Sequence, residues 1–508
     1  MTKYKQINSF LISSIIFTMA FILKSNIVKA EIYSVSPENI NDLQKQVDSL
    51  LPGDKLLLNN GEYKDLKLII NNSGEMDNPI VIEAVDKGNV IFSGDSKVEI
   101  RGNYIELNGI YFRDGARKKK EWKTHGPGLI SIYGDYNRIT NIAIHNFDNV
   151  DSAWITTELD SQGHVPKYNR IDHCSFTGKT TRDQVINLNN SKDKNGMGEA
   201  QYNRIDHCYF SNPKKKGNSG GAIRIGYYRN DIGRCLVDNN LFENQDSEAE
   251  IITSKSQENI YLNNTIKNSQ GTLNFRHGDN QVAIGNYFIG TNPKKEAGGM
   301  FIWGSGHIIA NNYFSLKKTI TSRGNAAIYL NPGEPESEHA LAYNNIIANN
   351  IFFDNQEYCI SLDALYTRRI NENSLTENTK ENKFINNIFI SNGNTKLAFD
   401  NQFKEIERQD VLENNVYCNL ENGYDNNETV NTSNLKYRIK NNICIIDRNS
   451  IPNYNEVEFF VKEIDGIENI QGLENGLNLN ELAYRSIYEN KPLDFNQVGP
   501  NWLLSIPN

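Results

Sequence analysis

Along most of the chain, apolar residues alternate with polar ones in short bursts, each closed by a polar pair. "YNRIDHCSF" (168–176) returns as "YNRIDHCYF" (202–210). Looser copies follow at "LVDNNLF" (236–242), "IYLNNTI" (260–266), "VAIGNYF" (282–288), "IIANNYF" (308–314), "IIANNIF" (346–352), "KFINNIF" (383–389), "VLENNVY" (411–417) and "RIKNNIC" (438–444). "IELNGIYF" (105–112) and "RITNIAI" (138–144) fit the same mould earlier. From residue 210 onward the copies end 22 to 38 residues apart. Short-range alternation is strand periodicity, and asparagine tolerates the left-handed backbone of a tight turn. Such a period marks a solenoid, in which each coil buries its apolar face only by stacking on the next. Stacked coils lie roughly 4.8 Å apart, so an asparagine amide reaches its equivalent one coil on. The pattern predicts an all-β fold: a single right-handed parallel β-helix over residues 31–450. "NINDLQKQVDSLLPG" (39–53) has helical periodicity and predicts an N-terminal helical cap over the first coil. The shortest steps are one bare coil, and longer steps carry inserted loops, where function tends to sit. Residues 451–508 lose the motif and are expected to form a C-terminal cap or tail.

The N-terminus changes the picture of location. Lys3 and Lys5 precede an apolar run from Phe10 to Leu23, and "VKA" (28–30) offers small residues for cleavage. This predicts a signal peptide over residues 1–30 and a secreted or periplasmic mature chain. Loss of Lys3, Lys5, Lys24 and Lys29 would take the formal charge from −9 to −13. An acidic chain is not built as a general nucleic-acid binder, but a polyanion is still bound if bases gather in one groove. The six cysteines are scattered, without a CxxC pair. Cys174 and Cys208 hold the same place in successive copies, which predicts a buried thiol ladder rather than a disulfide or a zinc site. A capped solenoid needs no partner copy, so a monomer is expected.

Candidate chemistry concentrates in "SEAEIITSKS" (247–256). Glu248 and Glu250 point the same way on a strand, roughly 7 Å apart along the chain. Like charges so placed call for something positive between them. Lys255 and Arg276, in "LNFRHG" (273–278), are 21 residues apart and should lie on adjacent coils on one side. Asn218 lies 32 residues before Glu250, matching a neighbouring one-coil step. Asn218, Glu248 and Glu250 supply oxygens only, a calcium preference. Strict alternation puts Lys255 on the face opposite Glu250, so a bend or bulge within "TSKS" is expected. Such a set suits elimination on a polymer of uronic acids. A cation on the carboxylate stabilises the charge that develops as the C5 proton leaves, and a neutral lysine is the base. Arg276 stabilises charge, with His277 or water as proton donor. Three readings stay open on these residues: a lyase, a non-catalytic glycan-binding β-helix, and a glycoside hydrolase using Glu248 and Glu250.

Longer stretches carry a resemblance. "SEAEIITSKSQEN" (247–259), "GTLNFRHGDNQVAI" (271–284), "AIRIGYYRNDIGRCLVD" (222–238) and "SRGNAAIYLNPG" (322–333) resemble the chondroitinase B family, polysaccharide lyase family 6, which also contains many alginate lyases. The likeness runs from about residue 35 to 400 and returns weakly in "NKPLDFNQVGPNWLLSIP" (490–507). It implies a right-handed parallel β-helix and Ca2+-assisted β-elimination on an acidic polysaccharide. By resemblance Lys255 is the base and Arg276 the proposed acid, with His277 and Glu338 beside the reaction centre. Asn218, Glu248 and Glu250 are the calcium ligands. His125 and Tyr227 line the sugar cleft, and Arg323 and Arg369 bind sulfated galactosamine. Both arginines favour dermatan sulfate over alginate, which carries no sulfate. An arginine expected after "NLNN" (187–190) is unmatched, with Lys192 or Lys194 as substitutes, and an aromatic residue expected against sugar is replaced by Leu412.

Overall fold

The computed structural model describes residues 30–115, 126–148, 152–190, 198–215, 220–363, 377–401, 403, 406–424, 435–451, 464–473, 477–484 and 491–505. The expected signal peptide falls outside this set, apart from Ala30. Among the described residues, three parallel sheets of 14, 13 and 12 strands run the length of the molecule. Each coil contributes one short strand to each sheet in turn, so every strand pairs with its equivalent one coil before and after. This is the parallel β-helix that the alternating pattern predicts.

The asparagine pairs have separate jobs. The first of each pair, such as Asn239, Asn263, Asn311 and Asn349, has φ between 51° and 56°, turning the chain from the first sheet to the second. The second is buried and forms a ladder. Nδ2 of Asn240, Asn264, Asn286, Asn312, Asn350 and Asn387 each donates to Oδ1 of the next coil's asparagine, at 3.0–3.1 Å. In the two "DHC" copies the first place goes to His173 and His207, with φ of 50° and 51°. Cys174 and Cys208 take the second place, and all six cysteines are free and buried. His173 and His207 stack at 4.9 Å, each bonded to its neighbouring aspartate. Among the described residues no group of three or more His, Cys, Asp or Glu side chains is placed to hold a metal ion. Phenylalanines stack inside the coils as well, Phe288, Phe314, Phe352 and Phe389 lying 4.7–4.9 Å apart.

The N-terminal helix, Ile40–Asp48, buries Leu43 and Val47 on the core. Its Gln44 satisfies the open edge of the third sheet. Gln44 Nε2 donates to the carbonyl of Ile69 at 2.7 Å, and Ile69 N–H donates to Gln44 Oε1 at 3.0 Å. An edge so covered does not recruit another strand.

One copy of the motif departs from the pattern. "RIKNNIC" is no coil: Tyr437–Lys440 and Ile443–Ile446 form an antiparallel hairpin. Asn441 and Asn442 both have positive φ, 51° and 64°, as a two-residue primed turn requires. An asparagine pair between apolar runs specifies a turn, and either a coil corner or a hairpin satisfies it. The hairpin lies on the outer face of the second sheet, where Cys444 N–H donates to Tyr313 Oη at 3.0 Å. Ile464, Ile470, Leu479 and Ala483 cover the outer face of the first sheet. The segment Lys491–Ser505 then runs back along the helix. Leu493 N–H bonds Thr265, Gly499 N–H bonds the His207 carbonyl, and Trp502 Nε1 bonds the Asn141 carbonyl. These coverings leave the outer face of the third sheet for inserted loops. No helix among the described residues is long and apolar enough to cross a membrane.

Candidate active site

Four neighbouring strands of the third sheet form the floor: Ile223–Ile225, Glu250–Ser254, Thr272–Phe275 and Met300–Ile302. Their outward residues stand in register as Arg224, Thr253, Asn274 and Phe301. Lys255 follows the second strand and Arg276 the third, so the two project from adjacent coils, since Ser254 pairs with Phe275.

The bend that joins Glu250 to Lys255 is real but lies earlier than expected. Pairing with Thr272–Phe275 slips between Glu250 and Ile252, and both Ile251 and Ile252 are buried in the core. Two successive inward residues reverse the alternation, the action of a β-bulge. Glu250, Thr253 and Lys255 thereby share the outer face, and "TSKS" itself stays regular. A bulge needs two consecutive core-compatible residues, and "II" (251–252) supplies them.

Electrostatics follow from this geometry. Arg276 Nη1 donates to Glu250 Oε1, and Thr253 Oγ1 donates to Glu250 Oε2 at 2.8 Å. Glu248 Oε2 accepts from the backbone N–H of Gly220 and of Gly221, the latter at 3.1 Å. Lys255 Nζ sits 4.6 Å from the ring centre of Tyr227, over which Arg224 also lies at 5.4 Å. Burial, then the cations Arg276 and Arg224, pull the Lys255 ammonium down to about 8, against the opposing pull of Glu250 and Glu248. Burial drives His277 well below its usual range, helped by His339, Lys255 and Arg276.

His277 has a defined tautomer. Its Nδ1 faces Glu338 Oε2 at 3.1 Å and the Tyr227 carbonyl at 3.3 Å. Both are acceptors, so Nδ1 carries the hydrogen and Nε2, buried and without a partner, presents a lone pair. In this tautomer Nδ1 is the donor, to Glu338 and the Tyr227 carbonyl, and Nε2 is an acceptor. Gly278 follows with φ +81°, and a Cβ there would come within 2.5 Å of the Ser256 carbonyl carbon. Arg323, on the short turn Thr321–Arg323, lies 4.1 Å over the Phe301 ring and donates to Thr272 Oγ1 at 3.3 Å. Burial lowers its pKa, and Glu250 and Glu248 are near enough to oppose the shift.

The structure therefore gathers Lys255, Arg276, His277, Glu338, Tyr227, Arg323, Glu248 and Glu250 into one site. His125, Asn218, Arg369, Lys192 and Lys194 lie outside the described residues. Leu412 belongs to the first sheet and packs against the core, so it takes no part in a cleft on the third. Sequence reasoning passed over Arg224, Asn274, Arg229, Asp279 and His339. Arg224 and Asn274 were legible as polar residues alternating with apolar ones in "AIRIG" and "LNF". Arg229 and Asp279 meet across 50 residues, with no local signal.

The donor set bears on a cation. Glu248 and Glu250 offer carboxylate oxygens, and the fully buried Asn274 has neither amide atom partnered. Oxygen-only donors beside a buried, unsatisfied amide fit a hard divalent ion such as Ca2+ and not zinc.

The family model for chondroitinase B matches residues 37–475. The chain belongs to the chondroitinase B family of polysaccharide lyases. No curated protein matches it. Among solved structures it is similar to the family 6 alginate lyase AlyGC, with TM-score 0.66 and 21% identity over 82% of this chain and 55% of that one. It thus spans about half of AlyGC's length. A mannuronic acid-specific family 6 lyase from human gut microbiota gives TM-score 0.64 and 23% identity, over 76% of this chain and 86% of that one. The family 6 lyase Pedsa3628 from Pseudopedobacter saltans gives 0.63 and 20%, over 92% and 99%. At these identities the solved relatives establish the fold, and the family match carries the lyase class.

Proposed function

We propose that the chain is an exported, Ca2+-dependent lyase that cleaves dermatan sulfate at iduronate-containing linkages by β-elimination, leaving 4,5-unsaturated oligosaccharides. One observation carries this reading: Lys255, with its pKa pulled down to about 8, stands beside Arg276 and the Glu248/Glu250 pair. At pH 7 roughly a tenth of such lysines are neutral, against fewer than about one in a thousand for an ordinary lysine. A base so poised suits removal of a weakly acidic C5 proton.

Ca2+, held by Glu248, Glu250 and Asn218, would neutralise the uronate carboxylate and stabilise the charge that develops beside it. Lys255 Nζ takes the C5 proton. The C5–H electron pair becomes the C4–C5 double bond, and the C4–O bond breaks with its pair on the leaving oxygen. Arg276 places positive charge on this path, and the leaving oxygen takes its proton from Arg276 or water. His277 accepts a sugar hydroxyl hydrogen through Nε2. Arg323 supports a sulfated neighbour sugar.

A second reading, alginate, is favoured by the relatives, since AlyGC is an alginate lyase and AlyF-OU02 was solved as an alginate lyase complex with G6. Both readings use the same chemistry. Incubation with dermatan sulfate, chondroitin sulfate and alginate, followed by ultraviolet absorbance of the new conjugated double bond, separates them. Dermatan sulfate is expected to respond most strongly. A larger response from alginate would move the assignment to the second reading, and silence on all three would end both.

A further inference from the structure

We infer that Arg229 is a positioning residue of the site, clamping Glu338 against His277; the inference rests on the lyase reading and extends it to a residue to which that reading gives no role. Arg229 leaves the third sheet on the turn after Ile223–Ile225, a turn closed by Asp231, whose Oδ2 accepts from the N–H of Tyr227 and Tyr228 at 3.3 and 3.2 Å. From there it reaches two other segments. Its backbone N–H donates to Glu338 Oε2 at 2.9 Å, the same oxygen that faces His277 Nδ1. Its Nη1 donates to the carbonyls of Pro335 and Ser337 at 2.6 and 3.0 Å. Its Nε and Nη2 bind Asp279 Oδ2 at 3.3 and 3.1 Å, and Asp279 is two residues beyond His277 on its own coil. Asp279 is fixed in turn by Ser305, whose N–H donates to Oδ1 at 2.8 Å.

Three segments distant in sequence, 227–231, 277–279 and 334–338, therefore meet on one guanidinium. A planar fork with five donors spans such a set, and a lysine ammonium does not. The clamp matters because the loop 334–338 has few holds of its own, chiefly Ser337 N–H on the Glu334 carbonyl at 3.0 Å and Glu334 N–H on the His339 carbonyl at 3.2 Å. Without Arg229 the loop carries Glu338 away, Nδ1 of His277 loses its carboxylate, and the ring loses the orientation that the carboxylate fixes. Displacements of about 1 Å in a positioned group cost on the order of 100-fold in rate.

The test is a double-mutant cycle with Arg229→Gln and Glu338→Gln on dermatan sulfate, or on whichever polymer the wild type cuts best. Arg229→Gln is expected to lower kcat roughly 10- to 100-fold with KM within about 3-fold, and to add less than about 3-fold further loss in the Glu338→Gln background. Unchanged kcat, or losses that multiply, would overturn the assignment. If Arg229→Gln does not fold, Arg229→Lys keeps the charge but not the fork, and wild-type kcat in that variant would likewise overturn it. A readout without turnover is the NMR titration of the His277 ring, which faces Glu338, His339, Lys255, Arg276 and the Tyr227 carbonyl. It should stay neutral well below the ordinary histidine range in the wild type, and take up a proton nearer that range in Arg229→Gln, as water reaches it. Identical titrations would contradict the clamp. A wild type with no elimination activity would strike at the proposed function, while the ring titration would still decide the role of Arg229.

Discussion

Lys255 shows how surroundings shift the protonation of a side chain. Its neutral form is favoured because burial and two guanidinium groups oppose the ammonium. On this account kcat/KM rises about tenfold between pH 6 and 7 and levels off above about 8, tracking the free amine. Lys255→Ala should lower kcat by roughly 10²–10⁴-fold. Lys255→Arg should do no better, since a guanidinium does not lose its proton. The same depressed pKa has a stability consequence. Unfolded lysine titrates near 10.4, so folding is unhindered above that value, and the penalty grows as pH falls from there and is complete below about 8. Lys255→Met should therefore raise stability at pH 7 by about 1–2 kcal/mol while abolishing turnover, as urea melts and an absorbance assay would show. A destabilised Lys255→Met would mean that the ammonium is well solvated and the shift absent.

Elements were legible to different degrees. The coil repeat was plain in the sequence because every coil solves the same problem with the same residues: inward apolar side chains, a left-handed asparagine and a buried one. That buried ladder has a measurable weight. Asn286 accepts from the N–H and the side chain of Asn264, both at 3.0 Å, and donates to the Tyr261 carbonyl at 2.9 Å. Asn286→Ala would leave several buried polar groups unpaired and should cost about 2–4 kcal/mol with little change in kcat. A loss below about 0.5 kcal/mol would show the ladder to be dispensable. The bulge at Ile251 was half legible. The conflict between alternation and a shared site announced that a break existed, but its place depended on pairing with Thr272–Phe275, a partner that the local sequence does not reveal. The hairpin at 437–446 misled for a related reason, since "NN" encodes a turn but not whether the next strand joins a new coil or folds back on the last. The clamp of Arg229 was invisible, because its acceptors come from segments brought together only by coiling.

At the scale of the molecule, the solenoid divides its three outer faces between stability and function. The C-terminal segments and the hairpin cover two of them, and the site occupies the third. Truncation before Lys491 removes the contacts of Leu493, Gly499 and Trp502 along several coils and should lower the melting temperature while leaving the pH dependence of catalysis unchanged. Chelation should silence the enzyme reversibly, with activity restored by Ca2+ and not by Zn2+, because the donors are oxygens. Elimination driven by Lys255 on a sulfated uronate polymer is the proposal on which the rest depends. Mass analysis of products from dermatan sulfate treated with the wild type and with Lys255→Ala tests it most directly. The account predicts unsaturated oligosaccharides, lighter by one water than hydrolysis products, from the wild type and none from the variant. Hydrated products, or unsaturated ones from both proteins, would contradict it.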